Sequence, residues 1–345
     1  MLIRADGSKN IGMGHLNRVA LIASEFSERT YNPVIMMKDD VNGEKFLSNK
    51  GVQYQCFSKH ISVGDELKAV YDQILAKLPC IFLMDILYHD EYQDMLKRLI
   101  KEECLSIVIT DECKKTDIKA DIVINGNPHQ LDYDHIVSPG HYLMGPEYFI
   151  MDSIYEKIKI APPSVKDNLK ILITVGGSDH NDLLFLILEA LEMINVKFSL
   201  SLFVTSVTGY MKKLISFLDK SKLAIELNVD ESTLAPFWGT CDLAITAGGN
   251  TLLERIASRL PGATVCQLDR QMAIANYFEK LGVNVNVGLG VELSLTTLSE
   301  RIEAFICDVH LHETQYVNSQ TITSGKGLSY LLEAIEDAQF TEVLK

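Results

Sequence analysis

Short apolar runs alternate with amphipathic stretches along both halves of the chain, and this alternation sets the fold class. In the first half, residues 2–5, 33–37, 52–57, 80–87, 105–110 and 121–125 are apolar runs of strand length. Between them, residues 16–26, 66–78 and 92–103 place apolar side chains at helical spacing. Buried strands of this length separated by helices predict a parallel sheet covered on both faces. The alternation stops at Ile160-Ala161-Pro162-Pro163-Ser164. Two prolines exclude both a helix interior and a central strand, so a linker is expected there. The pattern then resumes, with strands over 169–175, 198–205, 223–229, 243–246 and 263–268 and helices over 183–194 and 210–218. A last helix over 328–338 follows the polar turn Ser324-Gly325-Lys326-Gly327.

The prediction is an α/β protein of two Rossmann-like domains, residues 1–160 and 161–323, with residues 324–345 as a C-terminal helix. Open parallel sheets bind ligands beyond the carboxyl ends of their strands. Two such edges imply an interdomain cleft as the expected site. A length of 345 residues agrees with two domains of ordinary size, and 47% hydrophobic residues supply ample core. No run approaches the roughly 20 apolar residues needed to span a bilayer. The opening Met1-Leu2-Ile3-Arg4-Ala5-Asp6 lacks the apolar segment of a signal peptide, so a cytoplasmic location without membrane insertion is expected. The formal net charge of -14 argues against nucleic acid as a partner, while leaving room for a local pocket for one diphosphate. Seven scattered cysteines, none in a Cys-x-x-Cys pair, point to neither a zinc site nor a disulfide framework, and no metal is expected.

Four strand-to-helix loops carry the candidate chemistry. The first runs from Asp6 through Gly7-Ser8-Lys9-Asn10-Ile11 to Gly12-Met13-Gly14-His15. Gly12 and Gly14 allow close backbone approach to a ligand, and the following helix offers N–H groups to an anion. A third glycine at dinucleotide spacing is missing, which disfavours a nicotinamide cofactor; no cofactor is expected. His15 falls in the first helical turn, where the helix dipole is expected to lower its pKa and favour a proton-accepting imidazole. Asp6 either stabilises the loop or orients His15 or a substrate hydroxyl.

The second loop, Thr174-Val175-Gly176-Gly177-Ser178-Asp179-His180-Asn181, is either a phosphate cradle or an ordinary capped turn. In the third, Gly248-Gly249-Asn250-Thr251, two glycines and a helix start suit a phosphate, and Glu254 one turn later suits ribose hydroxyls or a capping box. In the fourth, Asp269-Arg270-Gln271, the Gln271 amide suits a sugar hydroxyl or a base edge.

The motif Ile3-Arg4-Ala5-Asp6-Gly7-Ser8 through Ile11-Gly12-Met13-Gly14-His15-Leu16-Asn17-Arg18 resembles the start of the UDP-sugar hydrolases of pseudaminic acid biosynthesis. Those enzymes and the related spore-coat polysaccharide proteins are similar to MurG-type glycosyltransferases of GT-B fold. The resemblance continues at Val175-Gly176-Gly177-Ser178-Asp179, at Ala247-Gly248-Gly249-Asn250-Thr251-Leu252-Leu253-Glu254 and at Gln271. It also takes in Asp85-Ile86-Leu87-Tyr88, Asp111-Glu112, Asn125-Gly126-Asn127 and Leu143-Met144-Gly145-Pro146-Glu147-Tyr148, and so spans nearly the whole chain.

It implies metal-independent hydrolysis of a UDP-linked 2,4-diacetamido-2,4,6-trideoxy sugar, with C1–O cleavage, inversion and release of UDP. His15 would activate water, Glu254 would bind the ribose, and Gln271 the sugar or diphosphate. Asp6, Asp85, Tyr88 and Asn127 would lie on the sugar side, and the amides of Gly248, Gly249 and Asn250 would receive the leaving diphosphate. Two alternatives compete with hydrolysis. One is a GT-B glycosyltransferase of surface or spore-coat polysaccharide synthesis. The other is a catalytically silent nucleotide-sugar binding protein that tolerates loss of His15.

Overall fold

The computed structural model describes all residues except 9, 10, 30, 88, 112–117, 129–140, 159, 178, 180, 207, 208, 232, 344 and 345. The chain folds as two units, Met1–Asp152 together with Lys326–Lys345, and Ser153–Gly325.

The first unit holds a parallel sheet of β1 (Leu2–Ala5), β2 (Val34–Lys38), β3 (Tyr54–Phe57), β4 (Cys80–Asp85), β5 (Cys104–Ile109), β6 (Ile122–Asn125) and β7 (His141–Met144). Their spatial order is β3-β2-β1-β4-β5-β6-β7. The connecting helices are α1 (Gly14–Glu28), α2 (Val41–Asn49), α3 (Val63–Leu75) and α4 (Gln93–Leu99). The chain winds from β1 outward one way and then, from β4, outward the other, so β1 and β4 flank the switch point. Ala5 pairs directly with Asp85 across it. In such sheets the crevice for a ligand opens beyond this pair of strands.

Alternation along β1 sends Ile3 and Ala5 into one apolar layer and Leu2 into the other. Arg4 falls on the Leu2 face and is fully buried, so its charge requires partners. The guanidinium clasps both oxygens of Asp6 at 2.6 and 2.7 Å and donates twice to Glu66 Oε1, from Nε at 2.9 Å and Nη2 at 2.7 Å. Tyr92 donates to the same Glu66 oxygen, and Lys38 Nζ lies 3.0 Å from the other. Two cations thus balance two carboxylates. Burial pushes the Glu66 carboxyl up, but Arg4, Tyr92 and Lys38 outweigh it and hold the pKa below the ordinary value.

The second unit repeats the plan with β8 (Leu169–Thr174), β9 (Phe198–Val204), β10 (Ala224–Val229), β11 (Leu243–Thr246), β12 (Gly262–Cys266) and β13 (Val285–Leu289). Their order is β10-β9-β8-β11-β12-β13, all parallel, with the switch point between β8 and β11. The helices are α5 (Leu183–Glu192), α6 (Met211–Leu218), α7 (Ala235–Trp238), α8 (Asn250–Ala257), α9 (Asp269–Lys280), α10 (Leu295–Cys307) and α11 (Val309–Ser319).

The last helix, α12 (Gly327–Val343), returns to the first unit, where Leu328, Leu331, Leu332 and Ile335 join the layer containing Ile3, Leu16 and Val19. The first unit ends at Asp152, earlier than the Pro162-Pro163 linker expected from the sequence. Tyr155, just beyond that boundary, is buried and hydrogen-bonded to Glu254 and Trp238. Two strands lack a clear signature in the sequence. In β7 the strand opens on exposed His141, and β13 carries Asn286 and the positive-φ Gly288 beside a register shift. Among the described residues, no helix is long and apolar enough to cross a membrane.

Replacing Arg4 by Met strands two buried carboxylates. The expected loss is about 3–5 kcal/mol of unfolding free energy, as for breaking a buried ion pair. Urea unfolding followed by circular dichroism measures it, and an unchanged curve would show that the cluster is not needed for stability.

Candidate active site

Both switch points carry the loops singled out from the sequence, but they are built differently. In the first unit the loop after β1 closes on itself through backbone hydrogen bonds between Ser8 and Gly12, at 2.9 and 3.3 Å. Gly12 has φ +83°, a conformation that a side chain would strain. The loop leads into α1, with Gly14 as its first residue and His15 as its second. Asp85, the last residue of β4, meets His15 because β1 and β4 are neighbours.

His15 Nδ1 lies 2.7 Å from Asp85 Oδ1. Arg18, one helical turn beyond His15, holds the same carboxylate from below, with Nε 2.7 Å from Oδ2 and Nη2 2.8 Å from Oδ1. Its two terminal nitrogens also grip Asp111, each at 2.9 Å. Asp85 is 1% exposed and His15 12% exposed, so these are short, largely dehydrated contacts.

Arginine only donates, so both Asp85 oxygens accept from two of its nitrogens. The Asp85 carboxylate must therefore accept from His15, which places the imidazole proton on Nδ1. That leaves Nε2 of the neutral ring with a lone pair. The 3.3 Å approach of Arg18 Nη2 to Nδ1 is then a contact between two donors, tolerable because both bind the same carboxylate oxygen.

The helix-dipole expectation for His15 is corrected by this arrangement. Burial does favour the neutral ring and is the largest influence, and Arg18 acts the same way. The hydrogen bond and charge of Asp85, with help from Asp111, outweigh both and raise the pKa above its ordinary value. The partner responsible lies 70 residues away in sequence, which a local helix argument does not include. Burial opposes the Arg18 charge as well, but Asp111 and Asp85 lift its pKa well above the usual guanidinium value.

Other first-unit candidates fall on either side of this cluster. Asp6 is engaged by Arg4 and accepts from the Lys38 backbone N–H at 2.8 Å, so it ties the end of β1 to β2, while Asp85 pairs with His15. Asn127 donates to the Asp111 carbonyl at 3.3 Å and therefore borders the cluster. Tyr88 lies outside the described residues. Arg18 and Asp111 drew no role from the sequence reading. The signal was present in Arg18, a cation three residues after His15 and so on the same helix face.

In the second unit the switch point presents backbone instead of charge. Gly176 (φ +83°) and the exposed Gly177 follow β8, and a Cβ at either would meet nothing. Gly248 is different, since a Cβ there would stand 2.8 Å from Gln271 Cβ. Gly249, Asn250 and Thr251 open α8, whose amino end has no side-chain cap hydrogen bond. Its leading N–H groups suit an anion.

Gln271 Oε1 accepts from the Gln267 N–H at 2.7 Å, which fixes the amide orientation. Its Nε2 points toward Gly249, 4.0 Å from where a Cβ would be, and can only donate, as to a phosphate or hydroxyl oxygen. Gln267 in turn donates to the Val175 carbonyl and accepts from Asn181, joining the loops after β8 and β12. Glu254 receives a hydrogen bond from Tyr155 at 3.0 Å.

These two parallel α/β domains are those of the GT-B fold, the architecture of MurG-type glycosyltransferases. MurG of Acinetobacter baumannii superposes with a TM-score of 0.69 over 97% of this chain and 99% of that one, at 12% identity. HepE of Anabaena, solved with UDP-glucose, gives a TM-score of 0.59 over 98% and 100% of the two chains, also at 12% identity. In sequence the chain is similar to the spore coat polysaccharide biosynthesis protein SpsG of Bacillus subtilis, 24% identical over 99% of both chains. No family model matches the chain.

Two measurements test this geometry. NMR titration of His15 should give a midpoint above the ordinary imidazole value of about 6.5. In Asp85→Asn the midpoint should fall, because burial and Arg18 then dominate. Since the folded value is raised, the pairing stabilises the fold at low pH, and that contribution is lost as pH rises through the folded pKa. An unmoved midpoint would contradict the pairing. For Gly248→Ala, the forced displacement of Gln271 should destabilise by about 1–3 kcal/mol. Differential scanning calorimetry reads this out, and a variant as stable as the parent would argue against the close approach.

Proposed function

We propose that this chain is an enzyme that transfers a glycosyl group from a nucleoside diphosphate sugar to an acceptor hydroxyl in the synthesis of a cell-surface polysaccharide. The observation that carries the reading is His15, held by Asp85 and Arg18 so that Nε2 is the proton-accepting atom. The likeness to SpsG, named for polysaccharide biosynthesis, and to the glycosyltransferase fold favours transfer over hydrolysis.

In this mechanism the acceptor O–H gives its proton to His15 Nε2 as its oxygen attacks C1 of the sugar. The C1–O bond to the diphosphate breaks, the anomeric centre inverts, and the nucleoside diphosphate leaves with the bonding electron pair. Asp85 stabilises the imidazolium that forms, and Asp111 offsets the Arg18 charge beside it. In the second unit, amides at Gly176, Gly177, Gly248, Gly249 and Asn250 are suited to the developing diphosphate charge, with the Thr251 hydroxyl and Gln271 Nε2 as further donors. Glu254 is assigned to the ribose hydroxyls. HepE, with the same fold, binds UDP-glucose, which supports uridine as the nucleoside.

A second reading puts water in place of the acceptor. It is favoured by the Gly12-Met13-Gly14-His15 loop, which resembles that of the UDP-2,4-diacetamido-2,4,6-trideoxy sugar hydrolases. The chemistry at His15 is the same, and the product is free sugar.

Incubation with UDP-sugars, with and without a glycan or lipid-linked acceptor extract, separates the two by NMR. Transfer predicts UDP release that depends on acceptor; release of UDP and free sugar without acceptor would establish hydrolysis. In either case His15→Ala should lower turnover by about 10²–10⁴-fold, the usual contribution of a general base, while UDP binding survives. Normal turnover in that variant would remove His15 from the mechanism.

A further inference from the structure

Glu254 lies one turn into α8, and its Oε2 is met by a hydrogen bond from outside the helix. The donor is Tyr155, 3% exposed, and the phenol oxygen itself accepts from the Trp238 indole at 3.2 Å. Trp238 is fully buried and can only donate. The Thr233 side chain also hydrogen-bonds the phenol, and with the indole N–H filling an acceptor position on the phenol oxygen, the phenol hydrogen is directed to the Glu254 carboxylate. Burial and the Glu254 charge both push the Tyr155 pKa up, so the phenol stays protonated and keeps donating. The segment carrying Tyr155 is itself wedged: Gly325, at φ +80°, approaches so closely that a Cβ would stand 3.1 Å from the Tyr155 main chain and Cβ.

We infer that Tyr155, backed by Trp238, is a positioning residue that holds the Glu254 carboxylate for a vicinal diol of the ligand, and so sets the preference for a ribonucleotide over its 2′-deoxy counterpart. The inference rests on the assignment of Glu254 to ribose under the proposed function. A glutamate carries substantial rotamer freedom that binding must remove. One hydroxyl can be met from several rotamers, whereas two adjacent hydroxyls require both carboxylate oxygens in one plane. Anchoring one oxygen in advance therefore benefits the diol more than the single hydroxyl. Tyr155 need not touch the ligand to have this effect. A merely structural tether between residues 153–156 and α8 would stabilise the fold without changing ligand preference.

Calorimetric titration of the full chain with UDP and with 2′-deoxy-UDP decides between them. The parent should bind UDP the more tightly. Tyr155→Phe keeps the ring and removes the hydroxyl; it should weaken UDP binding by about five- to tenfold, the range of one hydrogen bond. Binding of 2′-deoxy-UDP should change little, so the preference shrinks. Trp238→Phe, which frees the phenol hydrogen to turn away, should shift the preference in the same direction and carries the test should Tyr155→Phe fold poorly. A UDP to 2′-deoxy-UDP ratio unchanged in Tyr155→Phe, with Glu254→Ala still losing UDP affinity, overturns the positioning role and leaves the ribose assignment standing. Unaltered UDP binding in Glu254→Ala would instead overturn the assignment itself.

Discussion

One buried guanidinium organises the candidate catalytic centre. Arg18 reaches two carboxylates from different strand ends, Asp85 and Asp111, and its planar fork lets it bind each through two hydrogen bonds. Without it, the buried Asp85 carboxylate would be free to rotate away from the histidine. With it, both Asp85 oxygens are held as acceptors, and the imidazole proton is assigned to Nδ1. The chemistry open to His15 follows from that tautomer. The cluster is net neutral when His15 is protonated and carries one negative charge when it is not, which is why its pKa is raised despite burial.

The two units use one topology to present two kinds of chemical group. In both, the switch point places the first and fourth strands of the sheet side by side, and the loops that follow them converge. In the first unit those loops bring together ionised side chains supported by a second buried cluster, in which Arg4 binds Asp6 and Glu66 beneath the β1 end. In the second, the corresponding loops are glycines and helix starts, braced by the amides of Gln267 and Gln271. Charged side chains suit proton transfer, and oriented backbone N–H groups suit a diphosphate.

The strands with uninterrupted buried apolar runs, such as 81–84 and 171–173, were legible in the sequence because burial on both faces leaves a strong one-dimensional signal. β13 was not, since Asn286 and Gly288 interrupt it for reasons of local hydrogen bonding and register. The pattern of α12 identified a helix with an apolar face, but nothing in that face names the sheet it covers. His15 stood out from its loop, yet its partner comes from Asp85 at the end of another strand, and the direction of its pKa reverses on that account. Asp6 looked equally suited to the loop and to the histidine; the buried Arg4 decides where its carboxylate goes. Tyr155, which holds Glu254, sits in a stretch whose significance is entirely tertiary.

Asp85 and Arg18 together hold the Nδ1 side of the His15 ring and leave Nε2 as the nitrogen with the lone pair. The ¹⁵N chemical shifts of His15, recorded above its titration midpoint, test this most directly. The expected result is a neutral ring with the proton on Nδ1 and an unprotonated Nε2. A ring protonated on Nε2 would contradict it, because a histidine in that state has no lone pair there to accept the hydroxyl proton.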